Sequence, residues 1–193
     1  SPEHRRDRDL APGRRSYDRR EAVNYPVPRA LERLVDEVDG WLELRCPERA
    51  LPLLEPLLAD PAARAFGLSC RIRAFARMAR FDDALRDLAD LRSLYPEDDW
   101  IDLTEAWCRR RARDLDGAIR CIRQLLERNH RHDVAHFNLA CYFALAGRNN
   151  EAVDELSLAC GLNPDHRVFA LDEPDLDGLR TDERFRQLVR PPE

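Results

Sequence analysis

The sequence contains no lysine. All 32 basic side chains among its 193 residues are arginines. A GC-rich genome explains this absence most simply. The alternatives are selection against lysine modification and selection for the bidentate contacts that a guanidinium makes with carboxylates. All three explanations stay open, and we favour the genomic one.

Long apolar segments and paired metal ligands are also lacking. No apolar run approaches the roughly 18 residues that a membrane-spanning helix needs. The segment SPEHRRDRDLAPGRR at the start has no apolar centre of the kind that a secretory signal contains. We therefore expect a cytoplasmic protein with no membrane partner. The six cysteines form no CxxC pair, so we expect reduced and partly buried thiols rather than disulfides or a zinc site.

Motifs for catalysis and for cofactors are missing as well. There is no glycine-rich phosphate loop and no GxSxG, and no histidine stands in a catalytic spacing to Ser69 or Ser157. His132 and His136 lie four residues apart, but neither a cysteine nor a glutamate completes a ligand set around them. We therefore expect neither an enzyme nor a cofactor nor a metal site.

Charge is plentiful but balanced. The net charge is −5, with 36% charged and 44% hydrophobic residues, which is typical of a soluble helical protein. Residues 1–24 are rich in arginine, interleaved with acidic residues, and show no apolar period. This segment is predicted to be a flexible tail. Nucleic-acid binding through the tail is a weak alternative function, because its net charge is small.

What the sequence does contain is a period of 34 residues. Apolar residues recur at spacings of three and four, which predicts amphipathic helices. One small residue returns at the same place in each period, followed four and seven residues later by larger apolar ones. The three columns are Ala50, Ala84, Ala118 and Ala152; Leu54, Leu88, Ile122 and Leu156; and Leu57, Leu91, Leu125 and Ala159.

Such short units depend on their neighbours. A single helix pair cannot bury its apolar stripe, so stacking must complete the core, and each alanine permits a close approach of the next helix. Pro96 and Pro164 end the second helix of their units. Pro52 and Pro56 fall inside the second helix of the first unit and predict a kink or a late start there.

The columns lead to a family. The segment AHFNLACYFALAGRNNEAVDELSLACGLNP (135–164) and, less closely, GLSCRIRAFARMARFDDALRDLADLRSLYP (67–96) resemble the tetratricopeptide repeat (TPR). The resemblance implies an all-α fold, a right-handed superhelical array of four helix-turn-helix repeats with a C-terminal capping helix. The implied domains are the tail at 1–24, repeats within 25–166 at 31–64, 65–98, 99–132 and 133–166, and a cap at 167–193.

The cap has its own signature. DEPDLDGLRTDERFRQLV (172–189) resembles the segment that closes many bacterial TPR proteins. Thr181 is predicted to be a helix N-cap, while Phe185, Leu188 and Val189 are predicted to cover the exposed end of the stack.

The resemblance also implies a site. In TPR proteins the first helices of successive repeats line a concave groove that binds a peptide or helix. Here we expect a basic and aromatic groove for a protein partner that is acidic and carries an apolar or aromatic anchor. The inward positions are Arg73, Arg77, Trp100, Leu103, Trp107, Arg110, Arg111, Phe137, Asn138 and Cys141, with Phe66 beside them.

Other interpretations of these residues stay open. The tryptophans can instead pack the core through a rotated helix, since Asp102, Glu105 and Arg109 occupy positions that the family usually packs. RRRAR (109–113) can be a solvated run. A chaperone-tail clamp is rejected, because Val35 and Asp39 replace its first residues. A homodimer through the apolar face of the third repeat, or through the ends of the units, is the main alternative function.

Overall fold

The structure is a computed structural model that describes residues 25–190. The predicted tail at 1–24 and the last three residues lie outside the described part. The chain divides into two compact units between Ala112 and Arg113. Within residues 25–190 the regular structure is helical throughout, so the predicted all-α fold is confirmed.

In the N-terminal unit, the described residues form six α-helices. Two short 3₁₀ helices, Arg29–Leu31 and Leu51–Leu54, supplement them. The α-helices are α1 (Glu32–Glu43), α2 (Pro47–Ala50), α3 (Glu55–Ala59), α4 (Arg64–Arg77), α5 (Phe81–Leu94) and α6 (Asp99–Arg111).

In the C-terminal unit, the described residues form five α-helices and one 3₁₀ helix, Pro174–Leu179. The α-helices are α7 (Leu115–Arg128), α8 (Asp133–Leu145), α9 (Asn149–Leu162), α10 (His166–Asp172) and α11 (Glu183–Val189). Helices α4 and α5 pack closely as an antiparallel hairpin in the first unit, as α8 and α9 do in the second. None of the helices described is long and apolar enough to cross a bilayer.

The alanine column is fully buried. Ala50, Ala84, Ala118 and Ala152 are each 0% exposed. The eight residues that follow them at +4 and +7 are also 0% exposed, so the predicted core columns are confirmed. Burying a leucine-sized side chain contributes about 1.5–3 kcal/mol, and the small residue beside it lets two helix backbones approach.

The turns that follow α1, α4, α6 and α8 repeat with the same period. Arg45, Ala79, Arg113 and Gly147 all have a positive φ, between 55° and 73°. After α1, α4 and α8, the N–H three residues beyond the end of the helix bonds back to a carbonyl five residues earlier, from Cys46 to Trp41, from Arg80 to Phe75 and from Arg148 to Phe143. This is a Schellman ending, in which a left-handed residue reverses the chain. Three of the four positions hold a residue other than glycine, which strains them.

The first repeat departs from this regularity, as its prolines predict. Its second helix is broken into α2, the 3₁₀ helix Leu51–Leu54 and α3. Pro52 and Pro56 stand in the first turns of the last two pieces, where the missing N–H has no helical acceptor. Leu54 and Leu57 remain fully buried, so the core survives the break.

The cap differs from its prediction at one residue. Asp182, not Thr181, caps α11, because its Oδ1 accepts from the N–H groups of Arg184 at 2.8 Å and Phe185 at 3.2 Å. The helix therefore begins at Glu183, one residue later than expected. Phe185 and Val189 are buried as predicted, and Leu188 is half-buried.

Buried thiols complete the packing. All six cysteines are free, and five of them are buried. Burial raises the pKa of Cys70 and of Cys108 to about 12, so both remain protonated near neutral pH. They act as small apolar side chains.

The alanine column yields a first prediction. Ala84→Leu should lower the free energy of unfolding by about 1–3 kcal/mol, because the added carbons have no space at the helix crossing. Ala89→Leu, on the exposed face of the same helix, is the matched control and should change it by less than about 0.5 kcal/mol. Urea denaturation measures both. Equal effects would show that the column is not tightly packed.

The turns yield a second prediction. Ala79→Gly should raise the free energy of unfolding by up to about 1 kcal/mol, because glycine adopts a positive φ without strain. Gly147→Ala, at the equivalent position, should lower it by a similar amount. The two midpoints of urea unfolding should thus move in opposite directions. Shifts of the same sign would contradict a left-handed residue at these turns.

Candidate functional site

Helix α6 carries half of the residues that the sequence predicts for the groove. Trp100 and Trp107 are half-buried and pack against the same core cluster, which includes Leu68 and Ile72 of α4. Leu103 is 0% exposed. Leu103 therefore packs in the core, while the two indoles keep part of their surface accessible to solvent.

The surroundings of Trp107 are aromatic and cationic. The ring of Phe81 meets the indole edge-on, with centroids 5.8 Å apart and an interplanar angle of 77°. The guanidinium of Arg111 lies 5.5 Å from the indole centroid. Edge-on pairs and cation–π contacts each contribute about 0.5–1.5 kcal/mol beyond area burial. The indole is thus held in place before any partner arrives.

The two arginines predicted on α4 have partners within the unit. Arg73 donates to Asp39 of α1 at 3.0 Å. The two residues are 34 positions apart, so they occupy equivalent positions in successive repeats. Arg77 donates to the carbonyl oxygen of Leu42, near the C-terminal end of α1. Arg73 and Asp39 are 34% and 41% exposed, so a partner's carboxylate would have to compete with Asp39 for this guanidinium.

An ionic network lies on the other side of α6. Arg92 of α5 donates to Asp102 and to Glu105, at 2.7 Å each, and Arg109 donates to Glu105 at 2.8 Å. Asp102 is only 2% exposed. These are the charged residues at positions that the family usually packs. Paired charges therefore replace apolar contacts there.

The network also lowers the pKa of Glu105. Burial alone would raise the pKa of Glu105, but hydrogen bonds from Arg109 and Arg92 outweigh it and lower that pKa below its ordinary value. A carboxylate with a lowered pKa stabilises the fold above its ordinary pKa and loses that contribution as the pH falls. The contacts of Arg92 and Arg109 with Glu105 therefore weaken as the pH falls through the lowered pKa of Glu105.

Sequence reasoning missed a second buried pair. Arg71 of α4 makes a bidentate contact with Asp87 of α5, with bonds of 2.7 and 2.8 Å, and Asp87 is 6% exposed. The available signal was an aspartate one residue before the buried Leu88, inside the apolar stripe of α5. Apolar periodicity alone does not place the arginine opposite it.

Helix α8 holds the three remaining predicted residues. Phe137 is half-buried and stacks on His166, with ring centroids 4.9 Å apart. Asn138 is 8% exposed, and its side-chain nitrogen has no hydrogen-bond partner within the described residues. Cys141 is 5% exposed. Only the phenylalanine offers surface, whereas the asparagine offers an unused donor.

The histidines serve local structure. His136 lies between Glu155, at 2.6 Å, and the carbonyl oxygen of His130, at 3.0 Å. His166 contacts Asp133 at 2.9 Å, and His132 caps α8. No group of three or more potential metal ligands occurs in the part of the chain that the structure describes.

The geometry adds little support for the two alternative functions, a homodimer and nucleic-acid binding. The apolar face of the third repeat, proposed as a homodimer contact, is buried at Ile101 and Leu103 and half-buried at Trp100 and Trp107. Self-assembly through that face, or through the ends of the units, stays a prediction. The tail proposed for nucleic acid lies outside the described residues.

Comparisons with known proteins support the fold alone. No protein-family model matches this sequence, and no curated protein matches it. Among solved structures, the one described as "MamA RS-1 ArsTM double mutant" matches with a TM-score of 0.65 and 11% identity, over 83% of this chain and 95% of that chain. MamA is a TPR-containing protein. The chain therefore has a TPR-like helical repeat fold.

The ionic network yields a third prediction. Asp102→Ala should lower the free energy of unfolding by about 2–4 kcal/mol, because it leaves Arg92 partly buried beside Glu105 alone. Asp90→Ala on α5, whose carboxylate is 59% exposed and 3.9 Å from Arg64, is the control and should cost less than about 1 kcal/mol. Thermal and urea unfolding measure both. A loss as small as the control's would mean that the network contributes nothing.

Proposed function

We propose that this protein is a non-catalytic interaction module of the bacterial TPR type, an adaptor or scaffold of the cytoplasm. Its first helices bind a peptide or helix of a partner protein, acidic and with an aromatic or apolar anchor. The observation that carries this proposal is the pair of half-buried tryptophans on α6, with the guanidinium of Arg111 beside Trp107.

The tryptophans provide the anchor. Binding energy at protein interfaces concentrates in a few residues, and tryptophan and arginine are the commonest of them. Because Trp107 is already fixed by Phe81 and Arg111, little side-chain entropy is lost when a partner covers its remaining surface. A rigid indole of this kind suits an aromatic or apolar side chain from the partner.

The arginines provide selection by charge. A guanidinium contacts a carboxylate with two parallel hydrogen bonds, which favours acidic partners. Arg110 and Arg111 lie at the C-terminal end of α6, within one turn of Trp107. Arg73 joins them when the partner's carboxylate replaces Asp39 at its guanidinium.

Helix α8 supplies a contact of a different kind. A buried donor without an acceptor costs about 1–3 kcal/mol, so the side-chain nitrogen of Asn138 calls for an explanation. Asn138 would contact a peptide bound to the C-terminal unit only once its side chain turns outward, whereas Phe137, which is half-buried, would pack beside that peptide directly. Cys141 would lie beneath the surface, as Leu103 does on α6.

A fourth prediction tests the proposal. A peptide with glutamates around one central tryptophan should bind more tightly than its counterpart with glutamines. Trp107→Ala with Arg111→Ala should weaken binding at least about 30-fold, since a hot-spot residue contributes about 2 kcal/mol or more. Fluorescence anisotropy of the labelled peptide gives both affinities.

The chain contains a matched control for this variant. Trp41 is also half-buried, and the guanidinium of Arg49 lies 4.7 Å from its ring centroid, but this pair sits outside the predicted groove. Trp41→Ala with Arg49→Ala should leave the affinity within about threefold of the unaltered protein. Similar losses from both double variants, or no preference for the acidic peptide, would refute the proposal.

A further inference from the structure

A separate cavity opens in the C-terminal unit, between its last repeat and its cap. It has a volume of about 400 Å³ and draws its walls from α9, α10 and α11. Cavities that hold small ligands begin at about 300 Å³, so this one admits more than a bare ion. The lining residues are Val153, Ser157, Arg167, Arg184, Gln187, Leu188 and Arg190.

The polar lining consists of donors. Three of the seven residues are arginines, and none is acidic. Ser157 and Gln187 add a hydroxyl and an amide, whereas Val153 and Leu188 add an apolar patch. A wall of this composition attracts an anion and leaves room for a short apolar stem attached to it.

One of the arginines has an unmet hydrogen-bonding need. The Nε atom of Arg167 is buried and has no hydrogen-bond partner within the described residues. Because Nε has almost no accessible surface, a ligand in the cavity would contact Arg167 through the terminal nitrogens of its guanidinium. The neighbouring Arg184, in contrast, contacts the carboxylate of Asp154.

The charge of the cavity distinguishes between anions. Asp154 offsets one of the three guanidinium groups, which leaves two positive charges. A carboxylate carries one negative charge, whereas a phosphate monoester carries about 1.5–2 at neutral pH and offers three acceptor oxygens. The monoester is therefore the better match for both the charge and the number of donors.

The geometry points to a binding site for a phosphate monoester in this cavity. Arg167 and Arg190, with Arg184 shared between the ligand and Asp154, bind the phosphate oxygens, and Val153 and Leu188 contact the ester's stem. The ligand is either a phosphorylated side chain of a partner or a small phosphorylated molecule. The site is independent of the α6 tryptophans, because every residue of it belongs to the C-terminal unit.

A fifth prediction tests this site by calorimetry, with inorganic phosphate, phosphoserine and a phosphoserine peptide as probes. Arg167→Gln should weaken phosphoserine binding at least about tenfold, since it removes a charged donor from the ligand. Arg186→Gln is the control. It makes the same charge change on α11, but Arg186 does not line the cavity, and binding should change less than about twofold.

Each outcome of the experiment decides something. Tighter binding of the peptide than of phosphoserine supports the site with a protein ligand, and equal binding supports it with a small phosphorylated molecule. No binding of any probe by the unaltered protein, or equal losses from Arg167→Gln and Arg186→Gln, overturns it. If Arg167→Gln does not fold, as circular dichroism will show, Arg190→Gln at the exposed end of the site replaces it with the same expectation.

Discussion

Close approach of paired helices, permitted by one small residue every 34 positions, is the constraint on which the rest of the structure depends. A larger side chain at Ala84 or at its equivalents would separate two backbones whose contact buries the leucines at +4 and +7. In the N-terminal unit, α6 packs against α5 and leaves part of Trp100 and of Trp107 exposed, as surface that the core of this unit does not cover.

Two sets of partly buried ion pairs lie within this helix packing. Arg71 with Asp87, and Arg92 with Asp102 and Glu105, occupy sites where leucine or an aromatic residue would pack without any desolvation penalty. Buried ion pairs seldom add net stability compared with apolar residues of the same size. They do penalise wrong neighbours, because a misplaced helix would leave a charge unpaired. In this chain the first pair joins α4 to α5, and the second joins α5 to α6, the helix that carries the proposed anchor.

The repeat itself could be predicted from the sequence because its signal is periodic. Columns at Ala50, Ala84, Ala118 and Ala152, and the prolines at 52 and 56, correctly gave the buried core and the broken helix. Contacts that depend on side-chain reach could not be predicted in this way. Apolar periodicity does not show that Arg77 donates to the carbonyl of Leu42, or that Asp182 rather than Thr181 caps α11. The cavity beside Arg167 could not be predicted either, because its residues come from α9, α10, α11 and the residue that follows α11.

The three tryptophans of the chain allow the most direct test of the central claim, that the α6 surface is where a partner binds. Labelling with 5-fluorotryptophan gives one ¹⁹F resonance for each of Trp41, Trp100 and Trp107, assigned by single substitutions. On titration with the acidic, tryptophan-containing peptide, the account predicts that the resonances of Trp100 and Trp107 shift in a saturable way while that of Trp41 stays in place. Saturable binding that moves only Trp41, or none of the three, would contradict it.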